Sequence, residues 1–337
     1  MFYHYKLFFL LILMLGSLIS ISSNSWMGMW MGLEINLLAF IPLIQEKNNS
    51  FSSESSLKYF LSQALASTIL LFSMIFLSKN FMILKNIENL MILMFNSSLL
   101  MKMGMAPFHF WFPEVIEGLN WNNSLILLTW QKITPMVLVM YNLNFQYFFI
   151  IIIIFSMLIS SFLGINQISL RKILAYSSIN HMAWMISAML FSETIWFYYL
   201  LIYFILTFNI WFLFKIYNIY YFNQMISFMK NNLLMKLIFS FNFLSLGGLP
   251  PFIGFFPKWI TIQFMINNNW MMMSTLMVIL TLFTLFYYMR LIFNILILNS
   301  SNLNYLFNIQ SKNFLLWNFN LIILCSLIFY NLFFNFN

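Results

Sequence analysis

Four ionisable side chains stand inside apolar stretches of the sequence. Glu34 lies in the stretch 27–44, and Lys102, Lys132 and Lys258 lie in three later stretches. For any one lysine, snorkelling of the ammonium group to a membrane surface is the simpler interpretation. Four such groups in separate stretches favour function, because an intramembrane charge is costly unless it is paired or neutralised. Burial disfavours the charged form of an acid and of a lysine, so these residue types predict proton transfer.

Glu34 and Lys102 are the first predicted pair, and the energies suffice for a switch. Two opposite charges about 4 Å apart attract by about 4 kcal/mol at an effective dielectric constant near 20. Moving one charge across about 100 mV costs about 2.3 kcal/mol. Forming or breaking such a pair is therefore large enough to gate the uptake and release of a proton.

Three further residues are candidates for a proton relay. His109 follows Pro107 by two positions, and His181 ends a polar run in its stretch. A lone histidine on an apolar helix face is usually only hydrogen-bonded, and membership of a water chain is an equal alternative. Lys215 lies near the end of its stretch, where snorkelling is favoured over a relay role.

The composition predicts an all-α polytopic membrane protein. Of 337 residues, 63% are hydrophobic and 7% are charged, whereas a soluble domain carries about 25% charged residues. The apolar runs are continuous, unlike the alternating strands of a membrane β-barrel. At about 20 residues per span, we expect one membrane domain with about eleven helices, near 5–22, 25–44, 57–78, 87–118, 122–141, 146–164, 171–190, 194–221, 233–267, 271–297 and 314–334.

The fourth and ninth of these stretches, 87–118 and 233–267, are too long for one span. A straight helix over the first would measure about 48 Å, against an apolar core of about 30 Å. Both contain helix-breaking residues: Gly104 and Pro107 in the first, and Gly247, Gly248, Pro250 and Pro251 in the second. We therefore expect two broken helices, which are typical of transporter sites near the middle of the membrane.

The two breaks lie five helices apart. Because this number is odd, the two units have opposite orientations in the membrane, which predicts an inverted repeat. Its units are 1–141 (helices 1–5) and 146–297 (helices 6–10), followed by a final helix over 314–334. Coincidental placement of glycine and proline is the alternative. The four ionisable residues then lie on separate helices, two of them interrupted, which favours a lateral proton path over a single pore.

The scattered basic residues, with a net charge of +8, indicate topology rather than nucleic-acid binding. In the predicted eleven-helix topology, the side of the membrane that holds the N-terminus also holds Lys6, Lys47, Lys58, Arg171, Lys172, Lys230, Lys236, Arg290 and Lys312. The other side holds Lys79 and Lys85. The positive-inside rule makes the N-terminal side the matrix side of a mitochondrial membrane. A mitochondrial origin is itself suggested by 43 Phe, 27 Met and no Asp, as an AT-rich genome would produce.

No motif for a cofactor or metal is found in the sequence. There is no phosphate-binding glycine loop, no cluster of metal ligands and no nucleophile–base pair, and the one cysteine, Cys325, is expected to be a buried thiol without a role. We expect no nucleotide, flavin, iron–sulfur cluster or metal in this chain.

The ionisable residues lie in motifs that resemble the chain 2 family of mitochondrial NADH–ubiquinone oxidoreductase. The resemblance covers most of the chain in order and fades beyond residue 295. It is carried by Trp30-Met31-Gly32-Leu33-Glu34-Ile35-Asn36, Lys58-Tyr59-Phe60, Lys102-Met103-Gly104, Ala106-Pro107-Phe108-His109-Phe110-Trp111, Trp130-Gln131-Lys132, Ser177-Ser178-Ile179-Asn180-His181 and Gly247-Gly248-Leu249-Pro250-Pro251-Phe252.

The resemblance implies an antiporter-like, proton-pumping subunit in the membrane arm of respiratory complex I. It implies that Glu34 and Lys102 form a gating pair, that Lys132 is the central lysine and that Lys258 belongs to the second broken helix. The implied location is the inner mitochondrial membrane, with the N-terminus in the matrix and the C-terminus opposite. The implied partners are other membrane-arm and accessory subunits. NADH, FMN, Fe–S clusters and ubiquinone are expected in other subunits, and bound lipids, with cardiolipin a candidate, on this one.

Two other functions remain open from the sequence. A stand-alone cation/proton antiporter is one, since related folds do that work. A structural membrane scaffold without a proton path of its own is the other. The size of the assembly distinguishes the first, and replacement of the buried lysines distinguishes the second.

Overall fold

The computed structural model describes residues 4–46, 49–78, 85–229 and 233–297. Within these ranges the regular structure is helical, apart from one isolated β-bridge between Ser169 and Tyr221, so the all-α prediction is confirmed. The helices are α1 (His4–Ser22), α2 (Trp26–Ile44), α3 (Ser50–Ser78), α4 (Lys85–Met103), α5 (Trp111–Gly118), α6 (Trp121–Leu128), α7 (Trp130–Met140), α8 (Gln146–Ile165), α9 (Leu170–Met189), α10 (Glu193–Tyr217), α11 (Phe222–Met229), α12 (Leu233–Gly247), α13 (Phe255–Asn267) and α14 (Met271–Ile297).

Six helices in the described ranges are long and apolar enough to cross a membrane, namely α1, α2, α3, α8, α10 and α14. This number of spans indicates a multi-pass membrane protein. The expected final helix over 314–334, together with Cys325, lies outside the described residues.

The chain divides into two compact units, with the boundary between Phe155 and Ser156 inside α8. In the first unit α1 lies along α2 at a close approach between Gly16 and Gly32. A Cβ atom on Gly32 would lie 2.6 Å from the Ser20 nitrogen, so no larger residue fits between the two backbones. This contact fixes the middle of α2, which carries Glu34.

The second unit is built around α9, whose buried face extends around nearly the whole helix. Helices α10, α13 and α14 pack against it. Because polar residues such as Ser178 and His181 share this buried position, they need hydrogen-bond partners inside the unit.

Both predicted helix breaks are confirmed, and both first halves end in the same way. Gly104 and Gly248 have φ of 75° and 79°, which a glycine adopts at little cost. At α4, Gly104 N donates to Met101 O and Met105 N donates to Leu100 O. At α12, Gly248 N and Leu249 N donate in the same pattern to Ser245 O and Leu244 O. These paired bonds form the Schellman motif that terminates a helix.

Two further interruptions were not expected. The helix predicted over 122–141 is broken at Thr129, whose φ and ψ are −115° and −76°. The helix predicted over 194–221 ends at Tyr217, because Asn218 takes a left-handed conformation with φ of 50°. A short helix, α11, follows where the sequence predicted none.

Candidate functional site

A small cavity lies inside the first unit, enclosed by residues from α2 to α7. The volume open to the centre of a water molecule is about 20 Å³, more than the roughly 10–15 Å³ that one water requires. Apolar side chains form much of the wall, and the polar lining residues are Asn36, Tyr59, Gln63, Lys102, Gln131 and Lys132. Two of the four predicted ionisable residues therefore share one water-sized space.

Lys102 reaches this cavity from the last turn of α4. Its side chain is buried, and its Nζ has no hydrogen-bond partner within the described ranges. The residue's backbone is fixed, because Gln63 Nε2 donates to its carbonyl oxygen at 3.2 Å. The neighbouring Met101 carbonyl accepts from Trp111 Nε1 at 3.0 Å. Gln63 thus satisfies a carbonyl that the broken helix leaves open, and Trp111 adds a second hydrogen bond to the Met101 carbonyl, which also accepts from Gly104 N. A cation there also complements the C-terminal end of the helix dipole.

Lys132 enters the same cavity from the start of α7 and is only 2% exposed. Its Nζ lies 5.0 Å from the centre of the Phe112 ring, within the range of a cation–π contact. Phe112 in turn packs against Gly104, where a Cβ atom would lie 2.9 Å from Phe112 Cβ. The break at Thr129 places Lys132 in the first turn of a new helix, and the Thr129 hydroxyl donates to Leu125 O at 2.7 Å.

Glu34 is half-buried on α2, and its Oε2 has no hydrogen-bond partner within the described residues. No ion pair within 4.0 Å joins it to Lys102 in those residues, although its charge interacts with both Lys102 and Tyr59. The predicted gating pair is therefore close enough for electrostatic coupling but not in contact. Its role as a pair stays a prediction.

The amides around the cavity were not singled out in the sequence. Gln131 Nε2 donates to Asn36 Oδ1 at 2.8 Å, which joins α7 to α2. Gln131 is adjacent to Lys132 and Asn36 is two positions from Glu34, in largely apolar helices, and that polarity was the available signal. Tyr59 and Gln63 on α3 line the cavity as well; the spacing of α3 residues alone does not show that they face α4.

Lys258 belongs to the second unit and is only 6% exposed, in the first turn of α13. Its Nζ donates to Gly247 O at 2.8 Å, across the break that separates α12 from α13. A Cβ atom on Gly248 would lie 2.9 Å from Lys258 Cδ and 3.0 Å from Nζ. The glycine therefore leaves the space that the lysine side chain occupies.

His181 sits in a buried polar cluster of the second unit. Its Nδ1 lies 3.0 Å from the Tyr199 hydroxyl, and its ring centre lies 5.3 Å from that of Tyr203. The preceding residue, Asn180, donates a hydrogen bond from Nδ2 to Thr284 Oγ1 at 3.2 Å. The histidine thus has the hydrogen-bonded surroundings that both of its predicted roles require.

The remaining two relay candidates lie apart from these groups. His109 is buried between α4 and α5, with Nδ1 3.3 Å from Pro107 O, and it is not among the residues that line the cavity. Lys215 is exposed in the last turn of α10, with Nζ 4.7 Å from the centre of the Trp211 ring. A relay role for either residue stays a prediction.

A further lysine, Lys58, differs from the buried lysines because it forms ion pairs at the protein surface. Lys58 Nζ lies 2.8 Å from Glu54 Oε1 and 2.8 Å from Glu114 Oε2, at the protein surface. Within the described residues, no group of three or more His, Cys, Asp or Glu residues is placed to hold a metal ion.

Comparisons with known proteins agree with the resemblance seen in the motifs. Residues 23–284 match the family described as NADH:quinone oxidoreductase/Mrp antiporter, TM. The chain is 53% identical over 295 residues to NADH-ubiquinone oxidoreductase chain 2 of Anopheles gambiae, covering 86% of each. It is 49% identical over 308 residues to the chain 2 of Aedes aegypti, covering 90% of each.

A solved structure has the same fold. A chain of respiratory complex I from Thermus thermophilus, determined with bound aureothin, superposes with a TM-score of 0.79 at 22% identity. The superposition covers 88% of this chain and 71% of that one. At this identity the likeness concerns the fold, which is all-helical and antiporter-like.

Proposed function

This chain belongs to the NADH:quinone oxidoreductase/Mrp antiporter family, and from that premise we propose that it is a core membrane-arm subunit of proton-pumping NADH:ubiquinone oxidoreductase (complex I). It contributes an antiporter-like proton path, while the redox chemistry that drives it takes place in other subunits. The names of its relatives support this assignment.

One structural observation carries the proton-path part of the proposal. Lys102 and Lys132, from different helices, are both more than nine-tenths buried and line one cavity with room for a water molecule. A buried amine is costly to charge, and this makes it a good proton carrier when water or an acid can exchange with it. A water in this space can pass a proton from the ammonium group of one lysine to the neutral amine of the other without exposing either side chain.

Glu34 supplies the electrostatic control in this proposal. Its carboxylate interacts with Lys102 across a gap rather than in a salt bridge. A change in the distance between the two groups changes the free energy of protonating Lys102. For a close pair at low effective dielectric constant, this Coulomb energy is on the order of several kcal/mol. The carboxylate thus regulates when Lys102 loads and releases its proton.

The second unit contributes its own ionisable groups. Lys258 bridges the break between α12 and α13, and His181 lies in a hydrogen-bonded cluster. Each unit has a helix break that begins with a Schellman motif, after α4 in the first and after α12 in the second, and this correspondence supports the inverted repeat over 1–141 and 146–297. His109 and Lys215 are secondary relay candidates.

The proposed location is the inner mitochondrial membrane, with the N-terminus in the matrix and the C-terminus in the intermembrane space. The excess of basic residues on the N-terminal side of the predicted topology supports this orientation. The proposed neighbours are other membrane-arm and accessory subunits, together with membrane lipids such as cardiolipin. NADH, FMN, Fe–S clusters and ubiquinone belong to other subunits.

Replacement of the buried lysines tests the proposal. Lys102→Met and Lys132→Met keep an unbranched side chain, one heavy atom shorter than lysine, and remove its proton-binding group. In assembled complex reconstituted in vesicles, protons translocated per NADH oxidised and coupled turnover should both fall. Methionine also removes an expensive buried charge, so assembly should be retained.

Lys58→Met is the matched control, because Lys58 is exposed and lies outside the cavity. It should keep the translocation ratio of the unaltered complex. Normal translocation in both buried-lysine variants would remove the proton path and leave a structural scaffold as the function.

A stand-alone cation/proton antiporter is the second candidate, since the matched family includes Mrp antiporters. Gentle detergent extraction followed by native sizing separates the two. Migration with other subunits in a large NADH-oxidising assembly supports complex I, and migration as a monomer or dimer supports the antiporter.

A further inference from the structure

The first turn of α7, which carries Lys132, is bonded to two other helices of its unit. Trp130 Nε1 donates to Ser17 Oγ on α1 at 3.1 Å. Gln131 Nε2 donates to Asn36 Oδ1 on α2 at 2.8 Å. Lys132 is the next residue, so the two residues before it are both held by side-chain hydrogen bonds to other helices.

The two acceptors belong to helices that are themselves closely packed. A Cβ atom on Gly16 of α1 would lie 3.0 Å from the Asn36 nitrogen on α2. Ser17 follows Gly16, is 2% exposed, and its hydroxyl donates to Met14 O at 2.7 Å. Small residues let two helix backbones approach this closely. The contact between α1 and α2 therefore holds Ser17 and Asn36 in fixed positions relative to each other.

The start of α7 depends on these contacts, because it is not capped by a side chain of its own. Thr129 is the N-cap residue and makes no capping hydrogen bond within the described residues, and its hydroxyl donates to Leu125 O in the preceding helix. The first N–H groups of a helix have no partners inside the helix, and a side-chain cap is the usual local means of fixing the start. At α7 the bonds to α1 and α2 serve that purpose.

The amide pair lies beside the buried lysines. Asn36 and Gln131 both line the cavity that Lys102 and Lys132 share, and Asn36 is only 3% exposed. A helix turns by about 100° per residue, so the place of Lys132 is sensitive to any slip of its turn. A rotation of the first turn of α7 would carry the ammonium away from the Phe112 ring, whose centre is 5.0 Å away, and out of the cavity.

We propose that Asn36 and Gln131 are positioning residues of the proton path, whose hydrogen bond holds the Lys132 ammonium in the cavity that it shares with Lys102. The other hydrogen bond, from the preceding residue to α1, supports the same turn. This inference rests on the proposed function and adds no proton carrier to it, because carboxamides are hydrogen-bonding groups that do not titrate.

Position matters here because proton transfer is short-ranged. Donor and acceptor, or a water between them, must lie within hydrogen-bond reach, at about 2.6–3.2 Å. A displacement of about 1 Å caused by a distant substitution can lower a rate by about a hundredfold. The two amides therefore affect translocation through the place of Lys132 and not through any chemistry of their own.

The alternative is that the amide bond only stabilises the packing of α7 against α2. Gln131→Asn keeps the amide but shortens the side chain by one methylene group, which should take it out of reach of Asn36. Combination with Asn36→Gln restores the total length of the pair. The control is Asn123→Leu, which removes a 2.7 Å hydrogen bond from Asn123 Nδ2 to Leu43 O, between α6 and α2 and outside the cavity.

Coupled turnover per assembled complex, reconstituted in vesicles, separates the two roles. Gln131→Asn should lower it by about tenfold, which is less than the roughly hundredfold loss for a full displacement because Trp130 still holds the turn. The double variant Asn36→Gln/Gln131→Asn should recover most of the loss. Asn123→Leu should lower thermal stability and keep the turnover of the unaltered complex. Normal turnover in Gln131→Asn, or no recovery in the double variant, overturns the positioning role.

A double-mutant cycle tests whether Gln131 acts through Lys132. In a Lys132→Met background, Gln131→Asn should have no further effect, since no amine is left to position. An equal fractional loss in both backgrounds means a packing role and overturns the inference. Normal turnover in Lys132→Met itself would overturn the proposed proton path, whereas a defect in Lys132→Met with normal Gln131→Asn overturns only the positioning role.

Discussion

The ammonium group of Lys258 is bonded to the carbonyl of Gly247 at 2.8 Å, so the first turn of α13 is tied to the last residue of α12. The bond spans the interruption between the two helices. A cation is favoured at a helix C-terminus, where carbonyls lack partners within the helix. The interruption is thereby closed by the same side chain that is proposed to carry a proton.

Gly248→Ala should disturb this arrangement. The residue has φ of 79°, and an added Cβ atom would lie 2.9 Å from Lys258 Cδ. A left-handed alanine costs about 1–2 kcal/mol before any clash, so both stability and coupled turnover should fall. Thermal unfolding of the isolated complex and NADH-driven translocation measure the two effects.

Gly247→Ala is the control for this prediction. A Cβ atom at Gly247 would lie no closer than 3.7 Å to any neighbour, and its carbonyl remains available. This variant should lose clearly less than Gly248→Ala. Equal losses would mean that the added methyl group acts without displacing Lys258.

Tyr199→Phe should weaken the polar cluster of the second unit. It removes the hydroxyl that lies 3.0 Å from His181 Nδ1, and loss of a buried hydrogen bond costs about 1–3 kcal/mol. The expected result is lower thermal stability, with reduced translocation if His181 takes part in the path. Tyr198→Phe, at the exposed neighbouring position, should change neither quantity.

Phe112→Leu should alter the surroundings of Lys132. The phenyl ring lies 5.0 Å from the ammonium, and a desolvated cation–π contact contributes about 2 kcal/mol. Coupled turnover should fall several-fold while the complex still assembles. Phe110→Leu, at an exposed ring two residues earlier, provides the comparison, and similar losses in both would argue against the cation–π contact.

Glu114→Gln should have only a small effect. It removes one of two exposed ion pairs of Lys58, and such pairs contribute about 0–1 kcal/mol and weaken with salt. We expect a shift in melting temperature of a few degrees or less, disappearing at high ionic strength. A large and salt-independent loss would show that the pair holds α5 against α3 more firmly than its exposure indicates.

The helix breaks were predictable from the sequence because backbone chemistry is local. Gly104 and Gly248 take the left-handed conformation that a Schellman motif requires, and prolines follow both. The burial of Lys102, Lys132 and Lys258 also followed from their apolar surroundings. In each case the residue and its immediate neighbours contain the information.

Features that depend on contacts between distant residues were missed. The break at Thr129 has neither glycine nor proline at that position, and a threonine in an apolar run does not mark a helix end. The gap between Glu34 and Lys102 depends on how α2 packs against α4 through α3. No spacing within either helix encodes that distance, and for the same reason Tyr59 gave no sign of facing the lysines.

The hydrogen bond from Gln63 to the Lys102 carbonyl has a consequence for motion. It fixes the main chain of Lys102, whereas the ammonium group at the far end of a flexible four-carbon stem is not fixed by any hydrogen bond within the described residues. Lys102 therefore has a fixed main chain and a side chain whose end is not held by a hydrogen bond within the described residues. Rotation about the side-chain bonds can therefore move the charge between acceptors without a change in the main chain of Lys102.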